Sequence, residues 1–472
     1  MRSIVVLTIF WLLALVTPSI GAATPPTVTG PITGGTQGRP FTAALVDLAK
    51  FGYVEEEYFI AGMAARYGVK PGGVLAADGR WDVVAEDREP YKTRFLVRRP
   101  SDRKRFNGTV VVEWMQSSAG FDKDVNWNWQ KAEFLRDGYV WIGVSAQREG
   151  VDGSPPKPGS PFVDLVRWDP ERYGSLHIPS ESLSYDIYAQ VAKAVASPQA
   201  RTGVDPLDGL AVKKVLAIGD TFAADHLVVV YDALQPIAHP FDGYFIGWRH
   251  IPGAAPLADS VPMPAVVKLR TDLDAPVFVV NTGAEALPHY PARQPDGRTY
   301  RLWEIAGSAH TNAYWIAQMY AINKRDFGMP IPHCDRPFNT VPNQYVMNAA
   351  IHALARWAKG GPSPPSAPPI AISGTPPAVQ RDRFGNSAGG VRLPEVEVPI
   401  ARYEIGGDRS CPGGSGFTDP LPADELEKLY PTHEVYEEKY AAAAKRAEQA
   451  GFLLPADAVE GIATAHSAHI PR

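Results

Sequence analysis

A short apolar strand, Val215 to Ile218, runs directly into Gly219-Asp220-Thr221-Phe222-Ala223-Ala224, and residues with helical spacing follow. This has the shape of a nucleophile elbow, G-x-S-x-G, with Thr221 at the serine position and Ala223 at the second glycine position. A sharp strand-to-helix turn lifts its central side chain above the sheet, and it demands small residues two before and two after because the backbones crowd there. Gly219 and Ala223 meet that demand. The next backbone N–H, that of Phe222, would point at the same spot from a helix start and form half of an oxyanion hole. The chemistry implied is attack of a hydroxyl on an acyl carbon. Against it stands the β-branched side chain, which dislikes the backbone conformation of such a turn and crowds the attacking oxygen. An ordinary turn with a helix cap is the competing reading.

A hydroxyl needs a base, and the base needs an acid to orient it. Where an elbow carries the nucleophile, the chain order is nucleophile, acid, base, and Thr221, Glu285 and His310 supply it. Glu285 follows the strand ending at Val280, and His310 follows the strand Tyr300 to Ile305. Both therefore fall at strand carboxyl ends, where a doubly wound sheet collects its functional groups. Asp272 and Asp274 precede their strand, Glu304 lies within one and Asp242 begins one, which makes them weaker candidates for the acid. The loop Met115 to Asp122 can donate the second oxyanion N–H, from Gln116 or Ser117.

These groups must be positioned by elements that alternate. Thr93 to Val97, Thr109 to Trp114, Tyr139 to Ser145, Lys214 to Ile218, Phe241 to Ile246, Pro276 to Val280 and Tyr300 to Ile305 read as strands, several apolar throughout as expected of strands covered on both faces. Helical spacing marks Asn128 to Arg136, Ser184 to Ala196, Ala223 to Leu234 and Gln344 to Lys359. The expected class is α/β: a doubly wound, mostly parallel sheet with two lid insertions, near 147–182 and 248–274, and a C-terminal helical appendage. Trp168, Tyr173 and Trp248 lie in those insertions and are the candidates to line a substrate pocket, while Trp127 and Trp129 read as packing residues. The main domain is expected over 24–360. A proline-rich connection and an extension, 361–472, should pack on it through residues such as Leu426, Leu429, Tyr436 and Tyr440.

Forty-six Lys and Arg against fifty-one Asp and Glu give a formal charge of -5, with no basic stripe, so nucleic acid is not expected as a partner. Arg2, the apolar run Ile4 to Val16, Pro18 and the small residues Ser19, Gly21, Ala22 and Ala23 read as a cleavable export signal over 1–23. That run is too short to span a bilayer, so a secreted or periplasmic chain without stable membrane insertion is expected. In an oxidising compartment, two cysteines, Cys334 and Cys411, are most economically read as one disulfide, with two buried thiols as the alternative. No cluster of metal-ligating residues and no G-x-G-x-x-G stand out, so neither metal nor cofactor is expected.

Several longer stretches carry a resemblance. Val112-Glu113-Trp114-Met115-Gln116, Gly143-Val144-Ser145-Ala146-Gln147-Arg148, Trp168-Asp169-Pro170-Glu171-Arg172-Tyr173-Gly174 and Arg301 to His310 make the chain similar, over nearly its whole length after residue 23, to a bacterial α/β-hydrolase family described as "alpha/beta hydrolase domain". The family's elbow looks like Gly-Glu-Ser-Gln-Ser, which puts its serine at Thr221 and its glutamine at Phe222, and its Glu-Thr-Asp acid falls on Gly283-Ala284-Glu285. The resemblance implies the α/β-hydrolase fold and esterase-like hydrolysis. An exported carboxylic ester hydrolase acting on a small ester or lactone is the expected function; the alternative is a catalytically impaired homologue acting as a binding protein.

Overall fold

The structure, a computed structural model, describes residues 24–470 except 154, 156–159, 259–260, 331–333, 407–410 and 412–413. The expected signal segment, 1–23, lies outside the described residues. One ten-stranded sheet organises the chain: β1 (Thr27–Thr29), β2 (Tyr53–Val69), β3 (Val83–Pro100), β4 (Thr109–Trp114), β5 (Val140–Val144), β6 (Thr202–Gly203), β7 (Lys214–Asp220), β8 (Gly243–Gly247), β9 (Val277–Thr282) and β10 (Tyr300–Ile305). Their spatial order is β10-β9-β8-β7-β4-β5-β3-β2-β1-β6.

From β5 to β10 every pairing is parallel. These strands are buried along nearly their whole length, which is why they read as continuous apolar runs. Successive side chains serve opposite faces. Val110 and Val112 join one core layer with Tyr188 and Leu227, whereas Val111 joins the other with Trp127 and Ile351. The helices are thereby divided: α2 (Ser184–Ala196) and α3 (Phe222–Val229) cover one face, α1 (Val125–Arg136) and α6 (Asn343–Ala358) the other. Between α3 and α6 in the chain come α4 (Gly283–His289) and α5 (Ala313–Phe327).

The long antiparallel hairpin β2/β3, with Tyr53 opposite Pro100 and Val69 opposite Val83, was legible only at Thr93 to Val97. Buried charges interrupt its apolar pattern. Arg94 Nη1 reaches Glu57 Oε1 at 2.8 Å, while Arg98 reaches Glu55 Oε2 and Asp124 Oδ2 at 2.7 Å each. Such charges are tolerated in an interior only when paired and bonded on all sides. Arg98 also lies over the rings of Trp127 and Trp141, 4.4 and 4.3 Å from their centroids.

The described residues after 397 pack partly on each other and partly on the body. Tyr436 and Tyr440, on α7 (His433–Gln449), expected to face the body, are buried with Leu426, Leu429 and Tyr430 in a cluster built from the extension itself. Arg136 Nη1 meets Asp457, on α8 (Pro455–His466), at 3.1 Å, and Phe452 sets its ring 5.0 Å from that of Trp303. Cys334 and Cys411 are disulfide-bonded, with Cα atoms 5.9 Å apart. Among the described residues, no helix is long and apolar enough to cross a membrane.

Candidate active site

Thr221 stands between the end of β7 and the start of α3 with φ 53° and ψ −118°. A β-branched residue at positive φ is a true outlier, held there only because the surrounding structure determines it. Its N–H is fixed by the Gly247 carbonyl of the next strand at 3.0 Å, and its own carbonyl accepts from Asp225 N at 3.2 Å. The crowding expected two residues earlier is present: a Cβ on Gly219 would lie 3.1 Å from the carbonyl carbon and oxygen of Ala223.

His310 Nδ1 and Glu285 Oε1 are 2.6 Å apart. The carboxylate is held in turn by the Thr282 hydroxyl, and Thr282 also caps α4 by accepting from Ala284 N at 3.1 Å. Burial works against charge on both partners, but each outweighs that cost for the other. The Glu285 carboxyl is held below its usual range and the His310 imidazole above. The other acids are engaged elsewhere. Asp272 pairs with Arg270 at 2.8 Å, Asp274 with Arg298 at 3.2 Å, Glu304 with Arg293 at 2.7 Å and Asp242 with Lys214 at 2.9 Å.

The imidazole is seated from several sides. Trp248 Nε1 donates to the His310 carbonyl at 2.9 Å, and Asn343 Nδ2 donates to that of Ala309 at 3.0 Å. From the C-terminal segment, Gly414 accepts from Thr311 N at 3.1 Å and lies so close that a Cβ on it would come within 2.9 Å of the ring carbon Cγ. The extension is therefore part of the site's support as well as an appendage. Trp248 itself adopts φ 49°, a second strained residue at the same edge of the sheet.

The Thr221 hydroxyl accepts from Gln116 Nε2 at 2.7 Å, and among the described residues no hydrogen bond joins it to His310. Accepting from Gln116 leaves the hydroxyl's own proton free to be donated. Gln116 cannot serve through its backbone, because its N–H is taken by the Lys123 carbonyl at 3.1 Å across a tight hairpin. What it brings to Thr221 is the side-chain amide. Ser117 is fully buried beside it, outside the cavity wall. Phe222 opens α3, where the first N–H groups lack partners inside the helix. Its ring is exposed and lies 4.7 Å from that of His250.

Thr221, His310 and Gln116 line one cavity of about 350 Å³. Its apolar wall comes from Phe121 and Phe162, from Trp129 and Trp248, and from Trp315, Met319 and Tyr320 of α5. One expectation is corrected here. Trp168 and Tyr173 are absent from this wall because their polar ends are tied into the body: Trp168 Nε1 donates to the Asp326 carbonyl at 3.1 Å, and the Tyr173 hydroxyl donates to Glu57 at 2.9 Å while accepting from Phe41 N at 2.9 Å. Trp129 is buried in the core with Trp127, as expected of a packing residue, and also reaches the cavity. The wall that α5 supplies was not foreseen, although Asn312 before the helix and Gly328 after it are capping signals, and both are used: Asn312 Oδ1 accepts from Trp315 N at 2.9 Å, and Gly328 takes φ 69°.

Two charged residues complete the wall, Lys123 and Asp220. Burial raises the Asp220 carboxyl to about 8 against the pull of His310 and Lys123, and burial lowers the Lys123 ammonium to about 8.

A family model described as "Alpha/beta hydrolase domain" matches residues 28–463. No curated protein matches the chain. Among solved structures, esterase Est22 is similar at 11% identity, covering 66% of this chain and 81% of that one with a TM-score of 0.34. The glucuronoyl esterase from Solibacter usitatus is similar at 9% identity, covering 66% and 88%, with a TM-score of 0.29.

Proposed function

Because the chain belongs to the alpha/beta hydrolase domain family, we propose that it is an exported carboxylic ester hydrolase with a threonine nucleophile. The observation that carries this reading is the bonded pair His310–Glu285, 2.6 Å apart, on the same cavity as a hydroxyl held at φ 53° on a strand-to-helix turn. In the proposed reaction Thr221 Oγ1 bonds to the ester carbonyl carbon, its proton passes to His310 Nε2, and the carbonyl electron pair moves onto oxygen. The Gln116 amide and the Phe222 N–H are the donors to that oxyanion. Collapse breaks the bond to the alcohol oxygen, which leaves with the proton from His310. Water then enters by the same route and releases the acid and the free threonine. Glu285 keeps Nδ1 protonated and balances the imidazolium.

The reading is tested on p-nitrophenyl esters and lactones with the wild type, Thr221→Ala and His310→Ala. A wild-type rate that is lost in both variants, by about 10³-fold or more, supports it. Thr221→Ser is expected to be faster than wild type, since it removes the crowding methyl. Equal background rates for wild type and Thr221→Ala would leave the second reading, a binding protein, which the missing Thr221–His310 hydrogen bond favours.

A further inference from the structure

Among the described residues, Lys123 is the one lysine or arginine on the wall of the cavity that holds Thr221 and His310. Its direction is dictated by its neighbours. On the return arm of the hairpin 116–123, Asp122 and Asp124 both turn inward beneath the loop: Asp124 meets Arg98 at 2.7 Å, while Asp122 meets Arg94 at 3.5 Å and the Ser145 hydroxyl. In extended chain the residue between two such neighbours points the opposite way, and Lys123 accordingly faces the cavity. There its ammonium enters no hydrogen bond or ion pair with a described residue; it lies 5.4 Å from the centroid of the Phe121 ring, and the Glu149 and Asp220 carboxyls act on it without coming within ion-pair reach. On the same wall, Asp220 Oδ2 is buried without a partner.

The Lys123 side chain is only partly buried, and an unpaired ammonium set on an apolar wall is best matched by an anionic ligand. We propose that the cavity takes small esters or lactones that carry a second, anionic group such as a carboxylate, which pairs with Lys123 while the ester carbonyl lies at Thr221. This deepens the proposed hydrolase and rests on it. Asp220 does not cancel the cation: it forms no ion pair with Lys123, and burial pushes its carboxyl toward the neutral form, which can donate to the ligand. The apolar wall of Phe121, Phe162 and Trp315 strengthens the pairing by excluding water.

The test separates binding from turnover. Monomethyl glutarate and dimethyl glutarate place the charge, or its absence, in the acyl part; acetoxyacetate and its methyl ester do so on the alcohol side. Binding to Thr221→Ala is followed by the fluorescence of the cavity tryptophans or by calorimetry, which needs no catalysis. At least one anionic probe is expected to bind tenfold or more tightly than its neutral counterpart, and Lys123→Met should erase that preference while Lys123→Arg keeps much of it. Equal binding within both pairs, no binding by any probe, or a preference that survives in Lys123→Met would overturn the proposal. The comparison in Thr221→Ala with Lys123 intact decides even if Lys123→Met does not fold. Turnover of the same probes by wild type reports separately: selective binding with no hydrolysis would sink the catalytic reading and leave the anion site standing.

Discussion

Trp248 Nε1 donates to the carbonyl oxygen of His310 at 2.9 Å, joining the end of β8 to the loop after β10 across the intervening strand β9. The indole thus fixes the backbone of the proposed base from two strands away, and it does so from a strained φ of 49°. Trp248→Phe removes the donor and keeps most of the ring. A lost buried bond of about 1 kcal/mol predicts a fall in kcat/KM of roughly fivefold to tenfold, with the pH profile shifted as His310 loosens. A Phe variant with unchanged kinetics and profile would show that the bond does not position the imidazole.

The Gln116 amide is predicted to matter in the transition state. Gln116→Ala removes the 2.7 Å donor to Thr221 Oγ1, and a lost oxyanion-type donor typically costs on the order of 10²-fold in kcat. Gln116→Glu, which has no hydrogen to give when ionised, should be as impaired. If both variants keep wild-type kcat and change only KM, Gln116 holds substrate and not the oxyanion.

The pH dependence follows from the His310–Glu285 pair. Glu285 holds the imidazole above its ordinary range, and a general base must be neutral. The acid limb of kcat/KM should therefore lie above about 6.5, histidine's ordinary value, with activity lost as pH falls through it. Glu285→Gln removes the carboxylate, so the residual activity should titrate at lower pH. A limb that stays in place in Glu285→Gln would assign it to another group.

Peptide mapping without reductant is predicted to recover the Cys334–Cys411 link from exported protein. Cutting a cross-link that closes a 77-residue span should destabilise the fold by up to about 4.5 kcal/mol in the chain-entropy model, so Cys334→Ser should melt earlier. Both thiols alkylating in the native exported protein would refute the pairing.

The parallel strands were legible because burial on both faces leaves no polar alternation to confuse the pattern. The order of Thr221, Glu285 and His310 was legible for a related reason, since each follows the carboxyl end of such a strand. What the sequence hid was charge in unexpected places. Glu57, Arg94 and Arg98 inside β2 and β3 look like solvent-facing residues until their partners are known. Asp122-Lys123-Asp124 likewise reads as a solvated loop, and only the arginines of β3 reveal that the acids turn one way and the lysine the other. The helix 313–327 escaped because its apolar residues are shared between the body and the cavity, which blurs the single stripe that marks a surface helix.

Gly414 pressed against the His310 ring ties the site to a segment about a hundred residues further along the chain. Trp248 and Asn343 hold the backbone beside the imidazole, but the face that Gly414 covers, and the partner of the Thr311 N–H, come from the C-terminal segment alone. A proteolytic clip before that glycine, leaving Thr221, Glu285 and His310 untouched, would therefore unseat the proposed base, so nicked protein that stays folded should lose activity in step with the fraction cut.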